Sequence, residues 1–177
     1  METETKLKIA KSFEKLLKEK NFDSITVKEI IDSSGVSKST FYRHFKDKYA
    51  IIEYECLKSG MIFEFYKSGD IISLHSMHRN LMEYIYSKRE LYSEIVKIDG
   101  QNSFVEAWNQ SGMEIFVRIF KEKHNSVPDE IIKIAELYCN GMAMFVRNWV
   151  VRGFKESPEY ISNITYAGIP EAIKNYL

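Results

Sequence analysis

The sequence is poor in the residues that cross-link small proteins or hold metal ions. Its 177 residues include two cysteines, Cys56 and Cys139. They lie far apart in the chain and lack the short spacing of a zinc site. A disulfide framework is therefore not expected, and the low cysteine content is typical of a protein from a reducing compartment.

Signals for export or membrane insertion are also missing. The chain has no run of about eighteen apolar residues, which a membrane-spanning helix would need. The first residues, METETKLKIAKSF, contain neither the apolar stretch nor the small-residue cleavage site of a signal peptide. We expect a cytoplasmic protein with no membrane partner.

The chain carries none of the short motifs that mark common active sites. It has no glycine-rich phosphate loop, no nucleophile and base at a recognisable spacing, and no paired carboxylates. His75 and His78 share one face of a helix by their spacing, but no third ligand accompanies them. We therefore expect no catalytic residues, no cofactor and no metal site, and we do not expect an enzyme.

A formal net charge of zero hides an uneven distribution of charge. Residues 1–50 contain eleven lysines and arginines against eight acidic residues, a net charge of +3, and the rest of the chain carries −3. A basic head on an acidic body favours a polyanionic partner for the head. A solvated surface explains the same imbalance, so charge alone does not decide between the two.

What the chain does contain is helical periodicity from end to end. Apolar residues recur every three to four positions, and no alternating strand pattern is found. Glycine, proline and serine breaks divide the chain into helices over about 5–20, 26–34, 37–45, 47–67, 74–98, 102–123, 128–152 and from 157 onward. A bend near 87–90 and a break at Gly168–Pro170 divide two of these further. The predicted fold is all-α with about nine helices.

Two short helices near the N-terminus are joined by a glycine turn. Residues 26–29, TVKE, form a capping box in which the Thr26 hydroxyl accepts from the backbone of Glu29 and the Glu29 carboxylate reaches back. Gly35 suits the left-handed turn that follows, and Ser37 is placed to cap the next helix. This arrangement indicates a helix-turn-helix unit.

The second of these helices, within SKSTFYRHFKDK, presents a polar face. With 100° of rotation per residue, a helix that buries Phe41 also buries Phe45. The residues that then face outward or lie at the margins are Lys38, Ser39, Thr40, Tyr42, Arg43 and His44. A single α-helix fits the major groove of DNA, where an arginine suits guanine and hydroxyls suit bases or phosphates. Packing of these side chains against neighbouring helices is the alternative interpretation.

The segment ITVKEIIDSSGVSKSTFYRHFKDKYAII resembles the DNA-binding head of the TetR family of bacterial transcription regulators. The resemblance covers about residues 6–52 and is most specific in GVSKSTFYRHFKDK. It implies a helix-turn-helix DNA-binding domain at residues 1–48 and a helical effector-binding and dimerisation domain at residues 49–177. The positions that match DNA contacts of the family are Thr26, Ser37, Lys38, Ser39, Thr40, Tyr42, Arg43, His44 and Lys48.

The resemblance also implies a homodimer that binds a roughly palindromic operator in double-stranded DNA. The segment from Ile131 to Val151 supports this, because it is apolar on nearly all sides and needs a cover that a partner subunit would provide. Burial inside a monomer is the alternative. The candidate interface residues are Met142, Phe145, Trp149, Tyr160, Ile161 and Ile164.

Members of this family commonly hold a small effector in the body of the protein. Histidine, methionine and aromatic side chains in the middle of the chain suit a pocket for a small apolar or aromatic effector. The candidates are His75, His78, Met82, Tyr86, Phe104, Trp108 and Met113. An ordinary aromatic-rich core has the same composition, so the pocket remains a hypothesis.

The leading hypothesis is a homodimeric, sequence-specific DNA-binding regulator, a repressor that a small-molecule effector releases. One alternative is a helical protein-interaction module, and another is an activator that works through partner contacts. Salt distinguishes the first two, because binding to phosphates weakens steeply as salt rises and an apolar protein contact does not weaken in this way.

Overall fold

The computed structural model describes residues 4–59, 71–98 and 103–177, with side chains at 4–55, 74–98 and 103–177. These residues form ten α-helices and one short 3-10 helix. The prediction of an all-α protein with about nine helices is confirmed. No described helix is long and apolar enough to cross a membrane.

The head, residues 4–48, contains three α-helices. α1 is Glu4–Glu19, the 3-10 helix is Phe22–Ser24, α2 is Val27–Ser34 and α3 is Lys38–His44. Each α-helix turns an apolar stripe inward, because its apolar residues recur with the helical period. The side chains that meet in the centre of the head are fully or almost fully buried: Ile9, Phe13, Ile25, Ile30, Phe41 and Phe45.

A helix that begins at Tyr49 leads from the head into the body, residues 49–177. This helix, α4, is Tyr49–Ser59, and the Asp47 carboxylate accepts from the Ala50 backbone at 2.9 Å, as a cap at its start. Ile51 and Ile52 are completely buried in the apolar cluster that also holds the centre of the head. The head and the adjoining part of the body therefore share one core.

Six further helices complete the body. α5 is Ile71–Ser87, α6 is Arg89–Ile95, α7 is Phe104–Lys123, α8 is Asp129–Val151, α9 is Pro158–Ala167 and α10 is Glu171–Lys174. α5 packs along α9, and α7 packs along α8 and α4. A second apolar cluster, which includes Leu74, Phe116, Phe120 and Ile173, lies between these helices away from the head.

Most predicted breaks in the body coincide with the ends of helices. The bend near 87–90 is the junction of α5 and α6, and Gly153, with φ 78°, follows the end of α8. The Ser157 hydroxyl caps α9 by accepting from the Tyr160 backbone at 3.2 Å. The break at Gly168–Pro170 separates α9 from α10. The predicted end of the fourth helix near residue 67 lies outside the described residues.

Candidate nucleic-acid interface

Both ends of α2 have the local geometry that the sequence predicts. Thr26 caps α2 by accepting from the Glu29 backbone at 3.2 Å, and its own backbone N–H donates to the Glu29 carboxylate at 2.8 Å. Gly35 closes α2 with φ 63°, in the left-handed region that glycine adopts without strain. The capping box therefore fixes the start of α2, and Gly35 turns the chain from the end of α2 towards α3.

Charge and hydrogen bonds reinforce the start of α2. Lys20 forms an ion pair with the Glu29 carboxylate, which also accepts from the Thr26 hydroxyl at 2.8 Å. The hydrogen bond from Lys20, followed by those from Thr26, lowers the pKa of Glu29 to about 2. The carboxylate therefore stays ionised at the positive end of the α2 dipole at all physiological pH values.

Two phenylalanines anchor α3 to the rest of the head. Phe41 is completely buried and Phe45 is 3% exposed, and their ring centres lie 6.1 Å apart. Tyr42 packs edge-on against Phe41 at 5.4 Å but leaves half of its surface in solvent. The predicted inward face of the helix is therefore confirmed, and the opposite face is free of apolar packing.

The outward face of α3 carries hydroxyl and basic groups. Ser37 caps the helix, and its Oγ lies 2.9 Å from Ser39 Oγ and 2.8 Å from Thr40 Oγ1. Thr40 and His44 are half-buried at the edges of this face. The exposed members of the face are Ser37, Lys38, Ser39, Tyr42 and Arg43. One convex helix surface thus presents a guanidinium, an ammonium and several hydroxyls to a single ligand.

Lys48 occupies a different position from the other predicted DNA contacts. Its Nζ donates to the carbonyls of Phe22 and Ile25, both at 2.9 Å, and to that of Asp23 at 3.3 Å. It also lies 4.2 Å from the centre of the Phe22 ring. Partial burial lowers the pKa of Lys48. Its three N–H donors are directed at the 3-10 helix, so none is left for a phosphate in this arrangement.

A second candidate site is a cavity of about 80 Å³ in the body, bounded by α5, α7 and α8. Most of its lining is apolar, with Leu74, Met77 and Met142 among the side chains. Gly112 keeps α7 and α8 close together, because a Cβ at this position would lie 3.0 Å from Cys139 Sγ. The polar side chains on the lining are His78, Ser111, Tyr138 and Trp108.

The structure brings together only some of the predicted effector-pocket residues. His78 and Trp108 line the cavity. Met82 and Phe104 are packed in the core that the head and body share, and Tyr86 stacks on Trp149 with ring centres 6.4 Å apart. His75 binds Asn163 Oδ1 at 2.9 Å, and Met113 lines a separate surface groove. The sequence signal that was missed is the small pair Ser111 and Gly112 in the middle of a long amphipathic helix.

The predicted dimer residues also divide into two groups. Trp149 and Ile161 are each 2% exposed and are covered within the chain, where the Trp149 indole N–H donates to the Glu156 carbonyl at 3.0 Å. Met142 is half-buried at the cavity. The apolar surface of Trp149 and Ile161 is therefore already covered by their own chain. The large apolar side chains that α8 and α9 do expose are Leu137, Met144, Phe145, Val151, Tyr160 and Ile164.

Comparison with known proteins identifies relatives of both parts of the chain. The family model described as "Bacterial regulatory proteins, tetR family" matches residues 12–54, and that described as "Transcriptional regulator C-terminal region" matches residues 73–169. The uncharacterised HTH-type transcriptional regulator YxbF of Bacillus subtilis (strain 168) is 28% identical over 86 residues. That alignment spans 44% of this chain and 23% of YxbF.

Solved structures share the fold over nearly the whole chain. The dihydroxyacetone kinase operon activator DhaS superposes with a TM-score of 0.58 at 20% identity and covers 94% of this chain and 96% of its own. A TetR transcriptional regulator from Streptococcus agalactiae 2603V gives 0.58 at 17% identity, with 94% of each chain covered. The repressor AlkX from Dietzia sp. strain DQ12-45-1b gives 0.56 at 15% identity, again with 94% of each covered.

Proposed function

The chain belongs to the TetR family of bacterial transcription regulators, and on this premise we propose that it is a homodimeric repressor that a small effector releases from its operator. As a member of the family it is a helix-turn-helix DNA-binding regulator and not an enzyme. The parts that we propose here are that it acts as a repressor in the cytoplasm, that it forms a dimer and that an effector controls it.

The exposed face of α3 is the observation that carries the proposal. An α-helix enters the major groove with one face, and this face of α3 holds Arg43 where a guanidinium can form two hydrogen bonds with guanine. Its short hydroxyl side chains suit base edges or phosphates, and Tyr42 can donate to a phosphate. The proposed DNA contacts are Thr26, Ser37, Lys38, Ser39, Thr40, Tyr42, Arg43 and His44.

The exposed apolar side chains of α8 and α9 support the proposed homodimer. Leu137 is 74% exposed and Tyr160 is 57% exposed, although both are large and apolar enough to gain from burial. A twofold axis through this surface would bury the same patch on both subunits. It would also place two heads against one side of the duplex, where successive major grooves are about 34 Å apart, and so favour a roughly palindromic operator.

An activator is the second candidate function. DhaS is described as an operon activator and AlkX as a repressor, and both share this fold at low identity. The fold alone therefore accommodates either mode of action. We favour the repressor because the body contains a cavity suited to a small molecule, and a ligand that prefers one body conformation shifts the spacing of the heads.

DNA binding by the purified protein tests the proposal. We would measure fluorescence anisotropy with DNA that flanks its own gene and with scrambled duplex, at two salt concentrations. Arg43→Ala should abolish the preference for the specific duplex, since each bidentate arginine–guanine contact contributes about 1–3 kcal/mol of discrimination. Arg118→Ala, which removes the same charge from an exposed position of α7, should keep it. A stable dimer that binds neither duplex at either salt concentration would favour the protein-interaction module.

Sedimentation equilibrium tests the dimer separately. Leu137→Glu should shift the protein towards monomer, because a partner subunit would have to bury the new carboxylate. Tyr42→Glu adds the same charge at an exposed aromatic residue of α3 and should leave association unchanged. If both variants self-associate as strongly as the wild type does, the α8–α9 surface is excluded as the interface.

A further inference from the structure

The polar groups on the lining of the body cavity point to the chemistry of its ligand. His78, on α5, is a titratable group buried there, with 3% of its surface exposed. Its Nδ1 lies 3.1 Å from Thr165 Oγ1, on α9. This contact determines which ring nitrogen carries the proton.

The hydrogen of the Thr165 hydroxyl is already used. Thr165 Oγ1 donates to the Ser162 carbonyl at 3.1 Å, so it can only accept from His78. The proton of a neutral imidazole therefore lies on Nδ1, and Nε2 carries a lone pair. Nε2 has no partner among the described residues. Nε2 is also not completely buried. Among the described residues, the side-chain nitrogen or oxygen that is both completely buried and without a partner is Asn109 Oδ1.

Two other polar side chains on the lining present lone pairs as well. The Tyr138 hydroxyl donates to the Thr165 carbonyl at 2.8 Å, and Ser111 Oγ donates to the Ala107 carbonyl at 2.7 Å. Cys139 offers only a weak thiol donor. Trp108 contributes the remaining strong donor of the described lining, because its indole N–H has no acceptor among the described residues. Acceptors thus outnumber donors around the cavity.

We propose that this cavity binds an uncharged, mostly apolar molecule with a hydroxyl group that donates a hydrogen bond to Nε2 of His78. The inference deepens the proposed function and rests on it, since the molecule would be the effector. A ketone or ether of the same shape would place a lone pair against that of Nε2. A carboxylate would lose its water and meet no cationic side chain on the described lining.

Burial keeps His78 in the required state. Burial, and to a smaller extent the nearby His75, together lower the pKa of His78 to about 4. The ring is therefore neutral at physiological pH and Nε2 remains an acceptor.

The volume limits the size of the ligand. At about 80 Å³ the cavity has roughly half the volume of the 150 Å³ apolar cavity that accepts benzene in another protein. A short alcohol fits this space, and a five-membered ring fits if Met77 or Met142 changes rotamer, as flexible methionine side chains do. Larger ligands would need a wider movement of α5 against α7.

The test compares cyclopentanol with cyclopentanone, which have the same number of non-hydrogen atoms and differ in the hydroxyl. Binding of each to the full-length protein without DNA is measured by calorimetry and by ligand-observed NMR. We expect cyclopentanol to bind at least about five-fold more tightly, as one net hydrogen bond provides. Equal binding of the two compounds, or no saturable binding of either up to 100 mM (about the weakest measurable range), would overturn the inference.

Two variants, with His75→Phe as their control, identify the acceptor. His78→Phe should remove the preference for the alcohol, and His75→Phe, the same change one turn away and outside the cavity, should keep it. Thr165→Val is a second probe, in case His78→Phe does not fold. It removes the partner of Nδ1, lets the ring proton move to Nε2, and should strengthen binding of cyclopentanone relative to cyclopentanol. A preference for the alcohol that persists in folded His78→Phe or in folded Thr165→Val would contradict a role for His78 Nε2.

DNA binding is then measured separately with and without cyclopentanol. Selective binding of the alcohol with no effect on DNA would leave the cavity chemistry standing and contradict release by an effector at this site. Absence of DNA binding would contradict the proposed regulator without changing the ligand titrations. The two proposals therefore fail in distinguishable ways.

Discussion

Lys88, between α5 and α6 in the body, donates a hydrogen bond to Glu14 of α1 in the head at 2.7 Å. The same ammonium lies 3.8 Å from the carboxylate of Glu55 on α4, which is 2% exposed and also accepts from the Tyr84 hydroxyl at 2.8 Å. One lysine therefore joins α1 to α4 at the boundary between the head and the body.

Loss of the Lys88 charge should destabilise the protein. In Lys88→Met, Glu55 stays buried beside Tyr84 without its cation. We expect the free energy of unfolding to fall by about 1–3 kcal/mol. This is less than the full cost of breaking a buried pair, because Lys88 is partly exposed. Urea unfolding at fixed protein concentration measures this. Lys97→Met, which breaks an exposed pair with Glu94, is the matched control and should change little. Recovery of stability in Lys88→Met with Glu55→Gln would identify the unpaired carboxylate as the cause, and a double variant as unstable as the single one would contradict it.

The contacts of Lys48 lead to a prediction that separates a structural role from a phosphate contact. Lys48→Met keeps the side-chain stem over Phe22 but removes the ammonium from three carbonyls, so we expect a loss of about 1–2 kcal/mol in stability. The slope of log K against log salt for DNA binding should not change. Lys38→Met should reduce the magnitude of that slope by about 0.9, as the loss of one phosphate contact does. An equal change of slope in both variants would show that Lys48 leaves the carbonyls and binds a phosphate in the complex.

The sequence predicted the head well because its structure is determined locally. The capping box at Thr26, the left-handed turn at Gly35 and the inward Phe41 all depend on neighbours within a few residues, and all are found as predicted. The contacts of the body depend on packing between distant segments. Sequence periodicity identified Trp149 as apolar, but it did not reveal that Tyr86 and Phe154 of the same chain cover it.

The same reason explains the mixed result for the pocket. Aromatic and methionine residues mark both cores and pockets, so composition could not separate Met82, which is completely buried, from Trp108, which lines the cavity. The cavity exists where α7 lacks large side chains at Ser111 and Gly112. The absence of volume at a helix crossing becomes visible only when the facing helix is known.

His78 should make stability depend on pH above the range in which carboxylates titrate. Its folded pKa of about 4 lies below the usual value of 6.5, so its contribution is fully present above pH 6.5 and is lost as pH falls towards 4. The unfolded chain binds the proton that the folded chain excludes, and the cost over this range is about 3 kcal/mol. Unfolding of the wild type and of His78→Phe from pH 7 to pH 4.5 measures the difference, with His75→Phe as the control. Parallel curves for the wild type and His78→Phe would mean that the ring is protonated in the folded protein or that it leaves its site.

The close approach of α7 and α8 at Gly112 is the last feature that a substitution can test. Alanine in place of a helix-interior glycine normally stabilises a helix by about 1 kcal/mol. At Gly112 the added Cβ would lie 3.0 Å from Cys139 Sγ, which is buried, so one of the two atoms would have to shift. Gly112→Ala should therefore gain none of this stability and should lower the melting temperature if the helices separate. In the background of Cys139→Ala the same substitution should be stabilising, because the sulfur is gone. A double-mutant cycle with a coupling free energy near zero would show that the added Cβ and Cys139 Sγ do not clash.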